Sequence, residues 1–230
     1  MNTDAFTGKA QSYAGARPGY PEKAVEYIYS LAPMSAVFAD IGAGTGKFTE
    51  LLARYGNKIF AVEPNNDMRK QLSITLSAFS NTVVIDGAAE ATTLPNNCVD
   101  VITCAQAIGW FDLDTFRVEC KRIGKDGFTV VSIHNDMPGD NFTPGNRLTS
   151  KRAAELFFSN PTIREFPNPI FYTRERWLQN KTSISDSPKP FEARYDAYIA
   201  EMNNIFDRDS VDGLLRVNLI TYIFSERIVA

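Results

Sequence analysis

The chain has 230 residues, of which 44% are hydrophobic and 22% charged, so it can bury a core without disulfides or metals. Its net charge of -3 argues against a protein whose main task is to grip nucleic acid, and its composition excludes a disordered chain. Because it has neither an apolar run long enough for a membrane span nor a basic, apolar leader, we expect a cytoplasmic protein without a membrane partner.

From residue 20 to 133, short β-rich runs alternate with helical segments. Such alternation predicts parallel strands joined by right-handed crossovers, with ligands at the carboxyl ends of the strands. The predicted strands cover residues 37–40, 58–63, 82–85, 99–105 and 128–133, and the predicted helices cover residues 21–31, 47–55, 67–79 and 113–123.

The remainder of the chain changes character, since residues 135–210 hold seven of the twelve prolines. Here we expect helices at about 147–158, 174–181 and 191–206, followed by a terminal strand at 214–224 that returns to the sheet. The sequence therefore predicts a Rossmann-like domain formed by residues 1–134 and 211–230. Residues 135–210 form a largely helical insertion after strand five, a cap expected to select the substrate.

A glycine-rich turn follows the first predicted strand. Gly42, Gly44 and Gly46 let the backbone approach a ligand closely, and the next helix offers unpaired N–H groups. The dinucleotide pattern G-x-G-x-x-G would need glycine at position 47, where Lys47 stands. Glu63, at the end of the second strand, can accept hydrogen bonds from both ribose hydroxyls and would repel a 2′-phosphate. These features predict a nucleotide-type ligand but leave its class open.

The motifs occur in a familiar order. D-I-G-A-G-T-G-K-F and A-V-E-P-N resemble the first two motifs of class I S-adenosylmethionine-dependent methyltransferases, particularly the methyltransferase type 11 group. Residues 86–95 are similar to its third motif, residues 99–112 to its fourth, and residues 6–21 to the lead-in segment of a small-molecule subset. The resemblance implies a doubly wound, mostly parallel seven-stranded sheet. Because no basic stripe accompanies the aromatic residues of the insertion, we expect a small-molecule acceptor, and we expect a monomer or a homodimer.

The resemblance also implies S-adenosylmethionine as the cofactor and S-adenosylhomocysteine as its product. Asp40 and the glycine turn would receive the methionine tail and the adjacent ribose, while Glu63 would hold the ribose hydroxyls. Gln106 would lie beside the tail near the reacting methyl group. The adenine would meet Pro64, Met68, Ala89 and Glu90, and Tyr13 and Arg17 would close over the cofactor.

One position departs from the family pattern, and it bears on catalysis. Relatives often read A-Q-A-F-H-W-F, but this chain has Gly109 in place of that histidine. The sequence leaves two explanations open: room for a bulkier acceptor, or a backbone bend. A base is needed only if the attacking atom is still protonated, so its absence is compatible with methyl transfer. The weak candidates for catalytic roles are His134, as a base, and Trp110, as a wall of the acceptor site; otherwise the catalytic residues are unassigned.

The chain has one histidine and three cysteines, too few and too widely spaced for a typical metal site. Without paired C-x-x-C spacing or a second histidine, we expect no metal site. Two other functions remain open: a non-catalytic S-adenosylmethionine-binding module, and a nicotinamide-dependent reductase, which the spacing of the glycines disfavours.

Overall fold

The computed structural model describes residues 18–137, 148–184 and 187–229. Tyr13 and Arg17 lie outside the described residues, so their predicted contacts with the cofactor stay predictions. Within the described ranges, no helix is both long enough and apolar enough to cross a membrane.

Seven strands form one sheet in the order β3-β2-β1-β4-β5-β7-β6, which confirms the predicted doubly wound, mostly parallel fold. Strands β1 to β5 are parallel, whereas β7 runs antiparallel to both β5 and β6. The strands are β1 Phe38–Ile41, β2 Ile59–Val62, β3 Thr82–Ile85, β4 Val99–Ala105, β5 Gly124–Asp136, β6 Thr162–Tyr172 and β7 Leu215–Arg227.

Helices cover both faces of the sheet because their apolar residues recur at helical spacing. Helices α1 and α2 bury residues such as Ile28 and Leu52 on one face, and α4 and α5 bury Phe116 and Phe157 on the other. The described helices are α1 Glu22–Ser30, α2 Lys47–Ala53, α3 Asn66–Thr75, α4 Leu113–Ile123, α5 Ser150–Phe157, α6 Arg174–Thr182 and α7 Tyr195–Asp209, and a short 3₁₀ helix spans Ile108–Trp110.

Strand β6 is the element that our assignment along the chain lacks, because its prolines suggested irregular structure. Pro167 and Pro169 lie two residues apart, so their nitrogens face the same side of the strand. Strand β6 is the last strand of the sheet, and an outer edge tolerates missing N–H donors. Part of the residues predicted as a helical insertion therefore completes the sheet.

Strands β6 and β7 continue past the carboxyl end of β5. The last β5 pair joins Asp136 to Ile220, but five further β6–β7 pairs follow, out to Tyr172 and Leu215. Helices α6 and α7 pack on this extension around Trp177 and Phe206. The extension thus carries the two helices beyond the edge where the parallel strands end. The boundaries of a substrate-selecting cap, and its role, remain predictions.

Candidate functional site

The glycine turn occupies the gap between the end of β1 and the start of α2, and its backbone needs residues without side chains. Gly42, Gly44 and Gly46 all have positive φ angles, of 70°, 58° and 88°. A Cβ on Gly42 would lie 2.8 Å from the Ala107 Cβ, and one on Gly46 would lie 2.8 Å from the Leu72 Cδ1. These two glycines therefore allow the turn to pack closely against neighbouring elements.

Gly44 differs from the other two because its Cα faces open space. A Cβ there would meet no atom within 4 Å. Its N–H donates to the Oε2 of Glu63 over 2.9 Å, and the Oε1 of Glu63 accepts from the N–H of Asn65 over 2.9 Å. The turn and the end of β2 thus form a cradle with one accessible backbone surface beside a carboxylate.

The Glu63 carboxylate is 6% exposed, and its burial raises its pKa, although the N–H donors of Asn65 and Gly44 act in the opposite direction. Arg69 lies near but uses its guanidinium elsewhere, donating to the carbonyl oxygens of Glu63 and Pro64 and to Asp86. Among the described residues no guanidinium forms an ion pair with Glu63, although the charge of Arg69 also lowers its pKa. Such a buried carboxylate favours a ligand that brings hydroxyl donors or positive charge.

Asp40 is fully buried behind the turn. Its two carboxylate oxygens accept from the hydroxyls of Thr49, over 2.6 Å, and Thr103, over 2.9 Å. Burial raises the pKa of Asp40 to about 6, against the lowering effect of these two hydroxyls, and the nearby Glu63 raises it further. Asp40 thus ties β1 to α2 and β4, and its predicted contact with the methionine tail stays a prediction. Nothing in a single motif pointed to Thr49 or Thr103 as its partners.

The predicted adenine contacts lie at the ends of β2 and β3. Met68 is buried in the first turn of α3, Pro64 is half-buried, and Ala89 is 1% exposed. Ala89 and Glu90 form the tip of a tight turn closed by reciprocal backbone hydrogen bonds between Ala88 and Ala91. The Oε1 of Glu90 accepts from the N–H of Asp112 over 2.9 Å, which joins this turn to the start of α4.

A buried carboxylate that our sequence analysis missed holds this turn from α4. The Oε1 of Glu119 accepts from both the N–H and the hydroxyl of Thr92, over 2.7 and 2.6 Å, and Arg122 pairs with the same carboxylate. Burial alone would raise the pKa of Glu119, but Arg122 and Thr92 lower it to about 2. The nearest sequence signal was the i, i+3 spacing of Glu119 and Arg122, which is common on solvated helices.

Gln106 immediately follows β4 and has a φ of +54°, rare for a residue with a side chain. Its N–H donates to the Ile133 oxygen over 2.9 Å, and its Nε2 donates to the Asn135 oxygen over 3.1 Å. Strained backbone conformations of this kind persist where the surroundings hold them, and they cluster at functional sites. Gln106 therefore occupies the ligand edge in a fixed orientation, as its predicted place requires.

The two weak catalytic candidates lie in different surroundings. Trp110 is half-buried at the end of the 3₁₀ helix and packs against the core below α4. His134 is 1% exposed and stacks on Tyr222 and Phe224, with ring centroids 5.6 Å away in each case. Neither ring nitrogen has a hydrogen-bond partner among the described residues. Burial and Lys151 lower the pKa of His134 to about 4. His134 is thus enclosed in the sheet rather than open to a ligand.

Gly109 is explained by packing within the chain. A Cβ at this position would lie 2.5 Å from the Leu148 carbonyl oxygen and 3.5 Å from the Ser150 nitrogen. The backbone of Leu148, two residues before α5, therefore occupies the space that a side chain would take. This close approach is a third explanation, beside the bulkier acceptor and the backbone bend that the sequence suggested, and the Leu148 oxygen fills volume that a bulkier acceptor would need.

The structure thus brings most of the predicted cofactor residues to one edge. Asp40, the glycine turn and Glu63 join Gln106 at the carboxyl ends of β1, β2 and β4, in parallel register. Ala89 and Glu90 follow the end of β3. The edge offers a buried carboxylate, an open backbone cradle and apolar side chains, a combination suited to a nucleoside with a polar tail.

Comparison with known proteins points to the same segment. Residues 39–131 match a family described as a methyltransferase domain. A protein named as an uncharacterized methyltransferase of Mycobacterium tuberculosis is 33% identical over 131 residues, 57% of this chain and 52% of that protein. This chain therefore matches about half the length of that relative.

Two further comparisons extend over almost the whole chain. An uncharacterized methyltransferase of Schizosaccharomyces pombe is 26% identical over 96% of this chain and 95% of its own length. A solved structure from Anaeromyxobacter dehalogenans, titled as a candidate type II methyltransferase, superposes with a TM-score of 0.71 at 20% identity. It covers 93% of this chain and 98% of its own, a likeness of fold alone.

Proposed function

We propose that this chain is, through residues 39–131, a member of the type 11 group of class I S-adenosylmethionine-dependent methyltransferases, and that it methylates a small molecule. The observation that carries the proposal is the buried Glu63 carboxylate beside the open backbone of Gly44. The residues at this edge fit the cofactor. The Glu63 carboxylate can accept hydrogen bonds from a ribose diol, and the negative charges of Asp40 and Glu63 favour the cationic sulfonium. The same negative charge disfavours a nicotinamide cofactor with a 2′-phosphate.

S-adenosylmethionine, when bound, supplies a methyl group on a sulfonium whose departure as a neutral thioether needs no acid. Glu63 would hold the ribose hydroxyls, and the turn around Gly44 would receive the polar tail. Met68 and Ala89 would exclude water from the adenine, and Gln106 would lie by the reacting centre. The work left to these residues is alignment and desolvation, which place donor and acceptor in line.

A small acceptor is supported by charge and by the architecture of the edge. The net charge is -3, and helices α6 and α7 stand on the extension of β6 and β7 beyond the strand ends. A nucleic acid would need a basic surface, which that charge does not favour. We propose that these helices border the acceptor space.

The test combines binding with turnover. Calorimetry should detect S-adenosylhomocysteine binding, with no heat from NADH or NADPH, and labelled S-adenosylmethionine should transfer its methyl group to a member of a metabolite panel. Binding without any turnover would instead favour the non-catalytic cofactor-binding module. Binding of NADH or NADPH, without binding of S-adenosylhomocysteine, would contradict the proposal.

A matched pair of variants locates the ribose. Glu63→Gln should weaken S-adenosylhomocysteine binding by about 1.5–3 kcal/mol, or about 10- to 150-fold, because a charged hydrogen bond is lost. Glu226→Gln is the control, since the Glu226 carboxylate also accepts two backbone N–H groups, from Ser159 and Asn160, at the far end of β7. Equal affinities for the two variants would place the ribose elsewhere.

A further inference from the structure

Three polar side chains meet beside the carboxyl end of β5, one from that end and two from the middle of β6 and β7, and no part of the proposed chemistry uses them. The Oδ1 of Asn135 accepts from the Thr221 hydroxyl over 2.6 Å and from the Nδ2 of Asn168 over 3.1 Å. Thr221 is fully buried and Asn168 is 8% exposed. We call Asn135, Asn168 and Thr221 the asparagine cluster.

The cluster holds the chain that leads into α1. The carbonyl oxygen of Gly19 accepts from the Nδ2 of Asn135 and from the Nδ2 of Asn168, each over 3.0 Å. The next residue, Tyr20, packs its ring edge-on against Phe48 of α2, with centroids 5.1 Å apart. Phe48 belongs to α2, which begins directly after the glycine turn, so the cluster and α2 contact the same short segment.

The cluster also reaches the reaction edge through β5. The backbone oxygen of Asn135 accepts from the Nε2 of Gln106, so the residue whose side chain joins the cluster also orients the Gln106 amide. With one Nε2 hydrogen directed to β5, the Oε1 and the second Nε2 hydrogen of that amide are left for a ligand. The positive φ of Gln106 makes this support necessary, since a strained backbone relaxes when its surroundings loosen.

Asn168 comes from the edge strand, between Pro167 and Pro169. The two rigid prolines fix the backbone on either side and so direct this one side chain towards the cluster. A buried polar group that loses its partner is costly, so the three side chains form a unit rather than separate contacts.

We propose that Asn135, Asn168 and Thr221 are positioning residues for methyl transfer, which hold the orientation of Gln106 and the segment at Gly19 through hydrogen bonds from the edge strands. The proposal rests on the proposed function, because Gln106 matters only if the cofactor lies at this edge. It gives the antiparallel strands β6 and β7 a role at a site formed by the parallel strands.

The test compares two asparagines at the two opposite edges of the sheet, Asn168 in β6 and Asn81 beside β3. Asn168→Ala should weaken S-adenosylhomocysteine binding about 3- to 30-fold, the range expected when a residue acts through a network. Asn81→Ala is the control, since the Nδ2 of Asn81 also donates to two carbonyls, of Ala53 and Asn57, before β3 begins. Its affinity should stay within about twofold of the parent at a comparable loss of thermal stability.

A second, gentler pair covers the case in which Asn168→Ala does not fold. Thr221→Val removes one hydroxyl at nearly constant volume. Thr82→Val does the same at the first residue of β3, where the Thr82 hydroxyl donates to the Phe79 carbonyl oxygen. We expect weaker cofactor binding only for Thr221→Val. The side-chain amide signals of Gln106, assigned by their loss in Gln106→Met, should shift in Thr221→Val and not in Thr82→Val.

The outcomes separate the two proposals. If the parent protein binds no S-adenosylhomocysteine, the proposed function fails and the positioning role falls with it. If the parent binds, but each variant and its control lose affinity equally or the Gln106 signals do not move, only the positioning role is overturned.

Discussion

At the scale of single residues, the buried ionisable groups of this protein have different roles. Asp40 and Glu63 keep raised pKa values beside the glycine turn, where a ligand can use their charge. Glu119 has its pKa lowered by Arg122 and Thr92 and fastens a turn. His134 has its pKa lowered and makes no side-chain hydrogen bond within the described part of the chain, so its contribution is the stacking of its neutral ring.

Because His134 is buried in its neutral form, we can predict how the stability of the protein changes with pH. The unfolded chain takes up a proton near pH 6.5 but the folded protein only near pH 4, so stability from the neutral ring is full above pH 6.5 and falls as the pH drops towards 4. The difference amounts to about 3 kcal/mol. His134→Phe keeps the stacking on Tyr222 and should remove this pH dependence, measured by urea unfolding from pH 4 to 7.

Subtracting the stability of His134→Phe from that of the parent protein at each pH removes the contributions of all other titratable groups, since both proteins contain them. Asp40 acts in the opposite sense, because its raised pKa loses stability as the pH rises from 3.8 towards 6. Methyl transfer should survive in His134→Phe, since the ring is enclosed by the sheet. A variant that folds but has lost turnover would restore His134 as the base.

At the scale of elements, the contact between the 3₁₀ helix and α5 is set by Gly109. Gly109→Ala places a Cβ 2.5 Å from the Leu148 oxygen, so α5 must shift, and we expect a loss of about 1–3 kcal/mol in unfolding free energy. Gly19→Ala is the control for stability, because a Cβ there meets no atom within 4 Å. Equal stability of Gly109→Ala and the parent would show that Leu148 does not fill the position.

The elements also show where sequence patterns suffice. The bounds of β3, β4 and α4 coincide with their predictions, since each joins a clear apolar period to a local start or stop such as the N-cap Asp112. Strand β6 was missed because Pro167 and Pro169 break a strand everywhere except at an edge. Whether a segment becomes an edge depends on the whole sheet, which no local window contains.

At the scale of the whole molecule, some features of the candidate site could be predicted from the sequence and others could not. The glycine turn and Glu63 were predictable because each follows a strand in one short motif. Three other features were not predictable, because they join residues far apart in sequence, up to 149 positions for Gly19 and Asn168. They are the contact of Asp40 with Thr103, the contact of Glu119 with Thr92, and the asparagine cluster. Local motifs specified the groups that face the ligand, and the tertiary fold supplied those that hold them.

The whole molecule is therefore a parallel sheet whose ligand edge is supported from two directions. Helix α4 fastens the turn at Ala89 through Glu119, and strands β6 and β7 hold Gln106 and Gly19 through the asparagine cluster. Both supports converge on a cradle formed by Gly44 and Glu63. The account as a whole depends on what that cradle binds.

A crystal structure of the protein with S-adenosylhomocysteine tests this most directly. We expect both ribose hydroxyls within hydrogen-bond distance of the Glu63 carboxylate, at about 2.5–3.0 Å, with the polar tail along the backbone at Gly44. Density for the nucleoside at another part of the molecule, or a ribose that makes no contact with Glu63, would contradict the account.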